Sequence, residues 1–495
     1  MMRVSELIRD LPIVPAGLDA DVDVTGVTHD SRRVSAGDLF VALRGESFDG
    51  RQFVGDARER GAAAVLAVGE PPAGWRGPWL RTDEPRRVLG PLAARVYGHP
   101  ERELLLAGVT GTNGKSTVAA LIGAVLEAAG RRSAVLGTLG LSFGDLVRPV
   151  EHTTPEATEL YRILREIRDA GAEAVAMEVS SHALAQHRVG GAGFELAVFL
   201  NLSRDHLDYH RDLEDYFGAK RRLFSQLASG GRAVVNVDDE HGRRLAAELA
   251  AELDRPAVTF GDDGDVRVTA AELSDGGTRA TFATPAGAIE VCSPLLGRYN
   301  LENLSAAVAA GVALEISPEA VIRGLEAEPP LPGRMEPVDR GQPFTVLIDY
   351  AHTPDALAAV LGAARELSDR RLVVVFGCGG DRDAGKRVPM GRIAGELADL
   401  PIATSDNPRS EDPLAILAEV EEGLRQSGSS SYLVVPDRRE AIREAVGRVQ
   451  PGGLMVVAGK GHEEVQLVGT EVLPFSDRLE IEQALEEWFG AGTDG

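Results

Sequence analysis

Residues 104–126, LLLAGVTGTNGKSTVAALIGAVL, decide the fold of the middle of this chain. An apolar run leads into a glycine-rich turn, after which Lys115 and Ser116 begin an amphipathic helix that stops at Gly130, as a C-terminal cap would. In such a strand–turn–helix unit, backbone N–H groups and the helix N-terminus can bind phosphate groups. The pattern is a variant of the phosphate-binding loop G-x-x-x-x-G-K-[ST], because Val109 stands where the first glycine belongs. It predicts a nucleotide site in which Lys115 reaches the outer phosphates and Ser116 offers its hydroxyl to Mg²⁺.

Short β-rich runs alternate with helix-length stretches around this unit. In the middle of the chain these runs are LLLAGV, EAVAMEV, ELAVFLNL and RAVVNV, and towards its end they are FTVLIDY, RLVVVFG, LPIAT, SYLVVP and LMVVAG. Such alternation is typical of parallel sheets in α/β proteins. The glycine- and proline-containing stretches YGHPEREL and EAEPPLPGR interrupt this alternation and indicate two domain boundaries. We therefore predict an α/β protein of three domains, at residues 1–100, 101–333 and 334–495, with parallel, doubly wound sheets in the last two.

The composition argues against several classes of protein. With 52 basic and 76 acidic residues among 495, the chain has a net charge of -24, which repels a nucleic acid backbone. Two cysteines, Cys292 and Cys378, are too few for a disulfide framework and fit a reducing compartment. No apolar run approaches the ~18 residues of a membrane span, and the N-terminus carries Glu6 and Asp10, unlike a signal peptide. We expect a cytoplasmic protein that neither binds nucleic acid nor inserts into a membrane.

Polar, glycine-rich loops follow the predicted C-terminal strands. They are DYAHTPDAL, GCGGDRDAGKR, SDNPRSE and GKGHEEVQ. Because open parallel sheets bind ligands beyond the carboxyl ends of their strands, we expect Arg382, Arg409, Lys460 and Glu463 along one edge, where a small zwitterionic ligand could be held. Any one of these loops is also explained as an ordinary turn, and the Asn-Pro pair in SDNPRSE is common turn chemistry.

Two loops in the middle segment carry candidate metal ligands. Glu178 ends the apolar run in AMEVSSHALAQHR and is an oxygen ligand suited to Mg²⁺, while His206 is an imidazole in NLSRDHLDYH. His206 and His210 have the i,i+4 spacing of some zinc sites, but no H-E-x-x-H motif and no nearby cysteine accompany them. Lys220 is followed by two arginines, so the residues alone predict a solvated basic face of a helix.

Motifs in one order along almost the whole chain resemble those of the Mur ligases of peptidoglycan synthesis. They are THDSRRVSAGDLFVALRG, GVTGTNGKST, EVSSHALAQHR, NLSRDHLDYH with Lys220 downstream, GRYNLENLSAAVA, GRME, DYAHTPDAL and GKGHE. Asp406-Asn407-Pro408-Arg409 resembles the recognition motif of the members that add meso-diaminopimelate, whereas lysine-adding relatives commonly lack the arginine. The resemblance implies a small N-terminal α/β domain for a uridine nucleotide, a central P-loop ATPase and a C-terminal Rossmann-like domain for the incoming amino acid.

The family pattern also implies roles for individual residues, with Lys115, Lys220 and His206 as the catalytic candidates. ATP would be bound by Gly111, Thr112, Asn113, Gly114, Lys115, Ser116, Thr117, Asn303, Arg334 and Asp349. The metal ligands would be Ser116, Glu178, His206 and Lys220, the last carbamylated so that a carbamate oxygen can bind Mg²⁺ where an ammonium would repel it. The uridine-linked substrate would contact Ser31, Thr153, Thr154, Ser180, Gln186 and Arg188. Meso-diaminopimelate would contact Arg382, Asp406, Asn407, Pro408, Arg409, Gly459 and Glu463.

Two departures from the family pattern affect the uridine-linked substrate. His152 stands where an asparagine often precedes the threonine pair, and the loop GESFDGR diverges from the usual one in the first domain. Glu46, Ser47 and Phe48 are therefore only additional candidates for this substrate.

The resemblance implies an amide ligase that uses ATP and Mg²⁺. The D-Glu side-chain carboxylate of UDP-N-acetylmuramoyl-L-alanyl-D-glutamate would attack the γ-phosphate, and the amine of meso-diaminopimelate would then attack the acyl phosphate. Three alternatives stay open: the lysine-adding version of this ligase; a folylpolyglutamate synthase, which shares the ATPase architecture but lacks the N-terminal domain; and a switch or scaffold that binds ATP without making a bond.

Overall fold

The computed structural model describes residues 1–16, 21–45, 48–274 and 276–492, so the candidates Glu46 and Ser47 lie outside the described residues. Three successive α/β groups follow one another along the chain. The first contains strands β1 (Met2–Arg3), β2 (Val14–Ala16), β3 (Asp23–Val24), β4 (Gly26–Thr28), β5 (Asp38–Val41), β6 (Ala64–Ala67) and β7 (Trp79–Arg81), and helices α1 (Val4–Leu7), α2 (Val54–Glu59) and α3 (Pro85–Val96). Its main sheet has the order β2-β7-β6-β5-β4, parallel except for β2.

The second group is built on an eight-stranded sheet of order β11-β10-β9-β12-β8-β13-β14-β15. Its strands are β8 (Leu105–Thr110), β9 (Ser133–Gly137), β10 (Gly140–Phe143), β11 (Leu146–Arg148), β12 (Ala174–Glu178), β13 (Phe194–Phe199), β14 (Leu227–Asn236), β15 (Val258–Phe260), β16 (Arg267–Ser274), β17 (Gly277–Thr284) and β18 (Gly287–Ser293). Its helices are α4 (Lys115–Ala128), α5 (Ala157–Asp169), α6 (Ser181–Ala185), α7 (Leu213–Arg221), α8 (Glu240–Leu249), α9 (Tyr299–Ala313) and α10 (Pro318–Ala327). The sheet is parallel apart from β10 and β11, which confirms the predicted architecture.

The third group has a six-stranded sheet of order β19-β20-β24-β21-β22-β23, in which only the edge strand β19 is antiparallel. Its strands are β19 (Glu336–Pro337), β20 (Thr345–Asp349), β21 (Leu372–Phe376), β22 (Leu400–Ala403), β23 (Leu433–Val434), β24 (Leu454–Ala458), β25 (Val465–Val468) and β26 (Glu471–Pro474). Its helices are α11 (Pro354–Leu367), α12 (Arg387–Leu397), α13 (Pro413–Gln426), α14 (Arg438–Val446) and α15 (Asp477–Gly492). β25 and β26 form a separate hairpin.

The continuous apolar runs become strands because helices cover both faces of each main sheet. In β21, Leu372, Val374 and Phe376 enter one hydrophobic core, whereas Val373 and Val375 enter the core on the opposite face. Side chains alternate across a strand, so a strand covered on both sides must be apolar at every position. β8, the strand that leads into the glycine-rich turn, is covered in the same way: Leu106 enters one core, and Ala107 and Val109 enter the other.

The first and second groups share one hydrophobic core. Leu39, Leu66 and Leu92 of the first group pack in the same cluster as Leu160 and Phe194 of the second. The N-terminal sheet is therefore held against one face of the central sheet, on the side away from α4.

A three-stranded antiparallel sheet, β16-β17-β18, was not predicted from the sequence. One face of this sheet is buried: its side chains Phe282, Ile289 and Val291 pack into the hydrophobic core that also contains residues of α4, α9 and α10. Val268 and Leu273 of β16 pack against the same core, but small and polar residues separate the apolar positions, so no continuous apolar run marks this sheet. No helix within the described residues is long and apolar enough to cross a membrane.

Candidate active site

The glycine-rich turn has the predicted geometry. β8 ends at Thr110 and α4 begins at Lys115, and Gly114 has φ +86°. A Cβ atom on Gly114 would lie 2.5 Å from Oδ1 of Asn303, so only glycine lets α9 approach the turn this closely. Lys115 Nζ donates to the carbonyl oxygens of Gly111 (3.0 Å) and Thr112 (2.9 Å), and burial lowers its pKa.

This turn opens into a cavity of about 440 Å³, within the usual range of small-molecule sites. Most of the residues predicted to bind ATP or metal line it, namely Thr112, Asn113, Gly114, Lys115, Ser116, Thr117, Glu178, His206, Lys220, Asn303, Arg334 and Asp349. Gly111 contributes from behind the lining, through a carbonyl that accepts hydrogen bonds from both Lys115 and Lys220. The fold therefore brings together, from distant segments, residues that the family resemblance implies for ATP and metal binding.

The third group closes one side of this cavity. Arg334 Nη2 donates to Ser116 Oγ across 3.0 Å, and its guanidinium carbon lies 4.8 Å from the ring centroid of Tyr350. Asp349, at the carboxyl end of β20, accepts hydrogen bonds from the backbone N–H groups of Met335 and Ala351, both at 2.8 Å. Burial raises the pKa of Asp349. The nucleotide candidates thus come from both sides of the contact between the second and third groups.

Lys220 is buried, and the prediction of a solvated basic face is wrong for it. Its exposed fraction is 1%, and Nζ donates to the Gly111 carbonyl at 2.7 Å and lies 4.4 Å from the ring centroid of Tyr216. Lys220 lies on the inner face of α7 with Tyr216 and Phe217, whereas Arg222 just beyond the helix is exposed. Burial and the charge of Lys115 hold the pKa of Lys220 well below its usual value, which favours the neutral amine.

Glu178 is a buried carboxylate with neutral partners. Its exposed fraction is 2%, and it accepts hydrogen bonds from Thr138, the backbone N–H at 2.7 Å and the hydroxyl at 3.2 Å. Gly137 is required here, because a Cβ atom at that position would lie 2.2 Å from Glu178 Oε1. Within the described ranges, no lysine, arginine or histidine forms an ion pair with Glu178. A buried carboxylate in this situation is stabilised by a cation, so its surroundings fit a metal ion.

His206 is held in a left-handed backbone conformation, φ +55°, by the carboxylate before it. Its backbone N–H donates to Asp205 Oδ1 at 2.9 Å, and its ring lies edge-on to His182 at 4.7 Å between centroids. Burial lowers the pKa of His206, which favours the neutral imidazole that a metal needs. His210 instead bonds Ser181 Oγ through Nε2, 3.0 Å, and its Nδ1 faces Asp215.

Across the part of the chain that the structure describes, no three His, Cys, Asp or Glu side chains form a ready metal site. This leaves the zinc alternative for His206 and His210 without a ligand set. A Mg²⁺ site at Glu178 and His206 would also require the Ser116 hydroxyl and a modified Lys220.

The central candidates for the uridine-linked substrate form one continuous network beside the cavity. Thr154 Oγ1 donates to the Glu178 carbonyl at 2.9 Å and accepts from Ser180 N at 3.0 Å. Arg188 donates through Nη1 to the Thr154 carbonyl at 3.0 Å and through Nε to Gln186 Oε1 at 3.2 Å. Thr153 hydrogen-bonds Thr138 Oγ1 at 3.0 Å, and both Thr153 and Ser180 line the cavity.

The candidates of the first group are positioned less directly. Ser31 is buried at the start of a short 3₁₀ segment, and the nearby His29 Nδ1 lies 3.1 Å from Thr158 Oγ1 of α5. This contact places the segment against the second group. Phe48 is 67% exposed, and its ring lies edge-on to Phe53 with 6.4 Å between the centroids.

The candidates for diaminopimelate lie where the loops after β21, β22 and β24 meet. Asn407 Nδ2 donates to Glu463 Oε2 at 2.8 Å, and Arg409 Nη1 donates to the Gly380 carbonyl at 2.8 Å. Gly459, with φ +115°, passes so close to Asp406 that a Cβ atom would lie 2.7 Å from Oδ2.

The turn hypothesis and the binding hypothesis for SDNPRSE are compatible. Arg409 has φ +52° and its N–H donates to the Leu467 carbonyl of the hairpin at 3.0 Å, so the turn fixes the arginine. Pro408 packs against Gly380, where a Cβ atom would come within 2.0 Å of the proline carbonyl oxygen. Arg382 is close enough for its charge to lower the pKa of Arg409, after burial, so two guanidinium groups share this edge. The structure brings Arg382, Arg409 and Glu463 to one edge, whereas Lys460, which was predicted beside them, is 0% exposed and lies beneath it.

Two contributions were missed in the sequence. Thr138 holds Glu178 with both its N–H and its hydroxyl, and the only signal was its place after Gly137 at the carboxyl end of β9. Arg204 forms an ion pair with Asp383 at 3.2 Å, which joins the loop of His206 to a loop of the third group. No local pattern announces a pair separated by 179 residues.

Comparisons with known proteins agree with this architecture. Three family models match successive segments: the "Mur ligase family, catalytic domain" at residues 23–97, the "Mur ligase middle domain" at 109–311 and the "Mur ligase, glutamate ligase domain" at 333–461. A protein of Geobacter metallireducens named "UDP-N-acetylmuramoyl-L-alanyl-D-glutamate--2,6-diaminopimelate ligase" is 46% identical over 99% of this chain and 100% of its own. A protein of Streptomyces coelicolor with the same name is 45% identical over 98% of this chain and 97% of its own.

Solved structures show the same relationship. A structure bearing that ligase name has 34% sequence identity and a TM-score of 0.68, and the match covers 99% of both chains. A folylpolyglutamate synthase of Mycobacterium tuberculosis matches with a TM-score of 0.64 at 20% identity, over 75% of this chain and 92% of its own, which shows a shared fold alone. On the strength of the full-length relatives, this chain belongs to the Mur ligase family.

Proposed function

We propose that this protein joins meso-2,6-diaminopimelate to the D-Glu side-chain carboxylate of UDP-N-acetylmuramoyl-L-alanyl-D-glutamate, with ATP as the energy source, in peptidoglycan synthesis. We place the reaction in the cytoplasm, where ATP is available. The full-length relatives named as diaminopimelate ligases support this assignment. The observation that carries it is the edge formed by Asn407, Arg409, Glu463 and Arg382 in the third group, beyond the phosphate-binding turn of the second.

The charges of this edge match the amino acid. Meso-diaminopimelate differs from lysine by one carboxylate, and a guanidinium can bind a carboxylate through two parallel charged hydrogen bonds. With lysine as the substrate, Arg409 would lack its anion, so this residue would select against the wrong amino acid. The same reasoning disfavours the lysine-adding alternative.

The reaction has two steps. An oxygen of the D-Glu carboxylate attacks the γ-phosphorus of ATP, the bond from that phosphorus to the β,γ-bridging oxygen breaks, and ADP leaves. The amine of the amino acid then attacks the acyl carbon, the bond to the phosphate oxygen breaks, and the nitrogen loses a proton. Both steps gather negative charge on oxygen atoms, which the Lys115 ammonium and the N-terminus of α4 stabilise from fixed positions.

Ser116, Glu178, His206 and carbamylated Lys220 would hold Mg²⁺, which supplies charge stabilisation for the transferred phosphoryl group. The carboxylate of Glu178 supports this assignment, because it is buried and, among the described residues, accepts hydrogen bonds only from Thr138. The depressed pKa of Lys220 supports the modification, because a carbamate forms from the neutral amine. The carbamate would place an anionic oxygen in a pocket that the unmodified side chain fills with a donor to Gly111.

The uridine-linked substrate is assigned to residues of the first and second groups. Ser31 and the network of Thr153, Thr154, Ser180, Gln186 and Arg188 would hold the uridine-linked substrate beside the γ-phosphate. The proposal includes domain boundaries at residues 100 and 333, which the three matched family segments support.

One experiment tests the proposal. Phosphate release from ATP is measured with the dipeptide nucleotide and, in separate reactions, meso-diaminopimelate, lysine or no amino acid. We expect release only with meso-diaminopimelate, together with the tripeptide nucleotide as product. Release that ignores the amino acid would exclude a ligase, and a preference for lysine would exclude the proposed specificity. The folylpolyglutamate synthase alternative would instead require release with a folate and glutamate.

A further inference from the structure

A buried lysine lies beneath the edge that we assign to the amino acid. Lys460 follows β24 and is 0% exposed, and its Nζ donates to Asn407 Oδ1 at 3.1 Å and to Glu463 Oε2 at 2.9 Å. A buried ammonium is unfavourable unless it is paired and hydrogen-bonded, and both conditions are met here. Its two side-chain partners are both residues predicted to contact diaminopimelate.

The first consequence concerns the amide of Asn407. Its Oδ1 accepts from Lys460 Nζ and from the backbone N–H of Leu467 at 3.0 Å, while its Nδ2 donates to Glu463 Oε2 at 2.8 Å. A flipped amide would place its NH₂ group against these two donors and its oxygen against a carboxylate. Lys460 therefore helps to fix a single orientation of the amide.

The second consequence concerns the carboxylate of Glu463. Its Oε2 accepts from both Lys460 Nζ and Asn407 Nδ2, whereas its Oε1 accepts no side-chain or backbone donor among the described residues. The side chain is 28% exposed, so it is partly open to the solvent. One oxygen is thus bound inside the protein and the other remains for an ammonium group.

The third consequence reaches Arg409. The Asn407 carbonyl accepts from Gly380 N at 2.9 Å, and Arg409 Nη1 bonds the Gly380 carbonyl. Displacing Asn407 would therefore shift the pair of loops that places the guanidinium. Lys460 therefore supports both charged groups of the edge, the Glu463 carboxylate directly and the Arg409 guanidinium through Asn407.

We propose that Lys460 is a positioning residue for amino-acid recognition: its buried ammonium holds Asn407 and Glu463 so that one Glu463 oxygen meets an ammonium of the incoming diamino acid while Arg409 meets a carboxylate. This inference rests on the function proposed above and adds a specificity role for a residue that does not touch the substrate.

The test measures KM for meso-diaminopimelate and for ATP in Lys460→Met and in Lys460→Gln. Because a lost hydrogen bond to a charged group changes binding about 10- to 100-fold, we expect KM for meso-diaminopimelate to rise by that factor while KM for ATP is unchanged. Arg365→Met is the matched control. It removes a cation in the same domain that pairs with Asp399, away from these loops, and it should leave both constants unchanged.

A double-mutant cycle separates positioning from general stability. If Lys460 acts partly by neutralising and holding Glu463, Lys460→Met/Glu463→Gln should lose less than the two single variants together, because the carboxylate that Lys460 pairs with is already gone. Strictly additive losses, or equal rises in both KM values, would overturn the inference. Lys460→Gln, which keeps a hydrogen-bond donor, gives the measurement if the methionine variant does not fold.

The two proposals fail in different ways. If the wild-type protein forms no tripeptide nucleotide from meso-diaminopimelate, the proposed function is wrong. If the wild-type protein is active and both Lys460 variants retain its KM for meso-diaminopimelate, the proposed function stands and the role of Lys460 is wrong.

Discussion

Replacing Arg409 by alanine tests how the amino acid is selected. Within the described residues, the guanidinium of Arg409 donates only through Nη1, to the carbonyl oxygens of Gly380 at 2.8 Å and Asn407 at 3.5 Å. The Nε and Nη2 groups therefore remain available for two parallel hydrogen bonds to a carboxylate. Arginine and alanine both lack the freedom of glycine at φ +52°, so the substitution leaves the backbone strain of this turn unchanged.

The size of the effect follows from the hydrogen bonds. Two charged hydrogen bonds contribute about 3–6 kcal/mol at ~1.5–3 kcal/mol each. Water and the neighbouring Arg382 recover part of this, so we expect a loss of about 2–4 kcal/mol, or roughly a 30- to 1000-fold rise in KM for meso-diaminopimelate. Arg409→Lys keeps the charge but not the planar fork and should fall between the wild type and alanine.

The assay is ADP formation with meso-diaminopimelate, lysine or ATP varied in turn. For Arg409→Ala we expect a large rise in KM for meso-diaminopimelate, an unchanged KM for ATP, and a reduced preference for meso-diaminopimelate over lysine. A rise of the same size for ATP would show that Arg409 only maintains the fold. An undiminished preference over lysine would show that another residue selects the second carboxylate.

Three more predictions concern buried charges. Lys220→Ala should abolish ADP formation and, unlike other inactive variants, regain part of it with added short-chain carboxylic acids; full activity without them would refute the modification. Glu178→Gln should raise the Mg²⁺ concentration for half-maximal activity by about tenfold or more, whereas an unchanged Mg²⁺ dependence would remove Glu178 from the metal site. Asp477→Asn should lower the free energy of unfolding in urea by about 3–5 kcal/mol, because it leaves Arg438 buried without its partner at 2.7 Å, while the exposed Glu366→Gln should change it little.

The sheets and the site edge could be predicted because their signals are local. Runs such as LVVVF in β21 are apolar at every position, and glycine-rich polar loops follow them at the carboxyl ends. In an open parallel sheet, this order places all of these loops at the edge where the carboxyl ends of the strands lie. The contact between Asn407 and Glu463, 56 residues apart, also depends on β24 lying beside β21 and β21 beside β22, a strand order that was not predicted from the sequence.

Pairings between separate groups could not be predicted in this way. Arg334 meets Ser116 across 218 residues, and Arg204 meets Asp383 across 179, because the second and third groups, each built on its own sheet, pack together. Nothing in the local sequence of either partner fixes the direction in which one sheet approaches the other. The family resemblance supplied Arg334, whereas the contact of Arg204 was found only in the structure.

The burial of Lys220 does have a local signal, its spacing of four residues from Tyr216. A run of Lys-Arg-Arg suggests one solvated face, but consecutive residues of a helix point in different directions, and residues four apart share a face. Tyr216 is four residues before Lys220 and is buried, so the lysine follows the aromatic face inward while Arg222 remains outside. The burial that this tyrosine face imposes also lowers the pKa of Lys220, which favours the neutral amine that the proposed carbamylation requires.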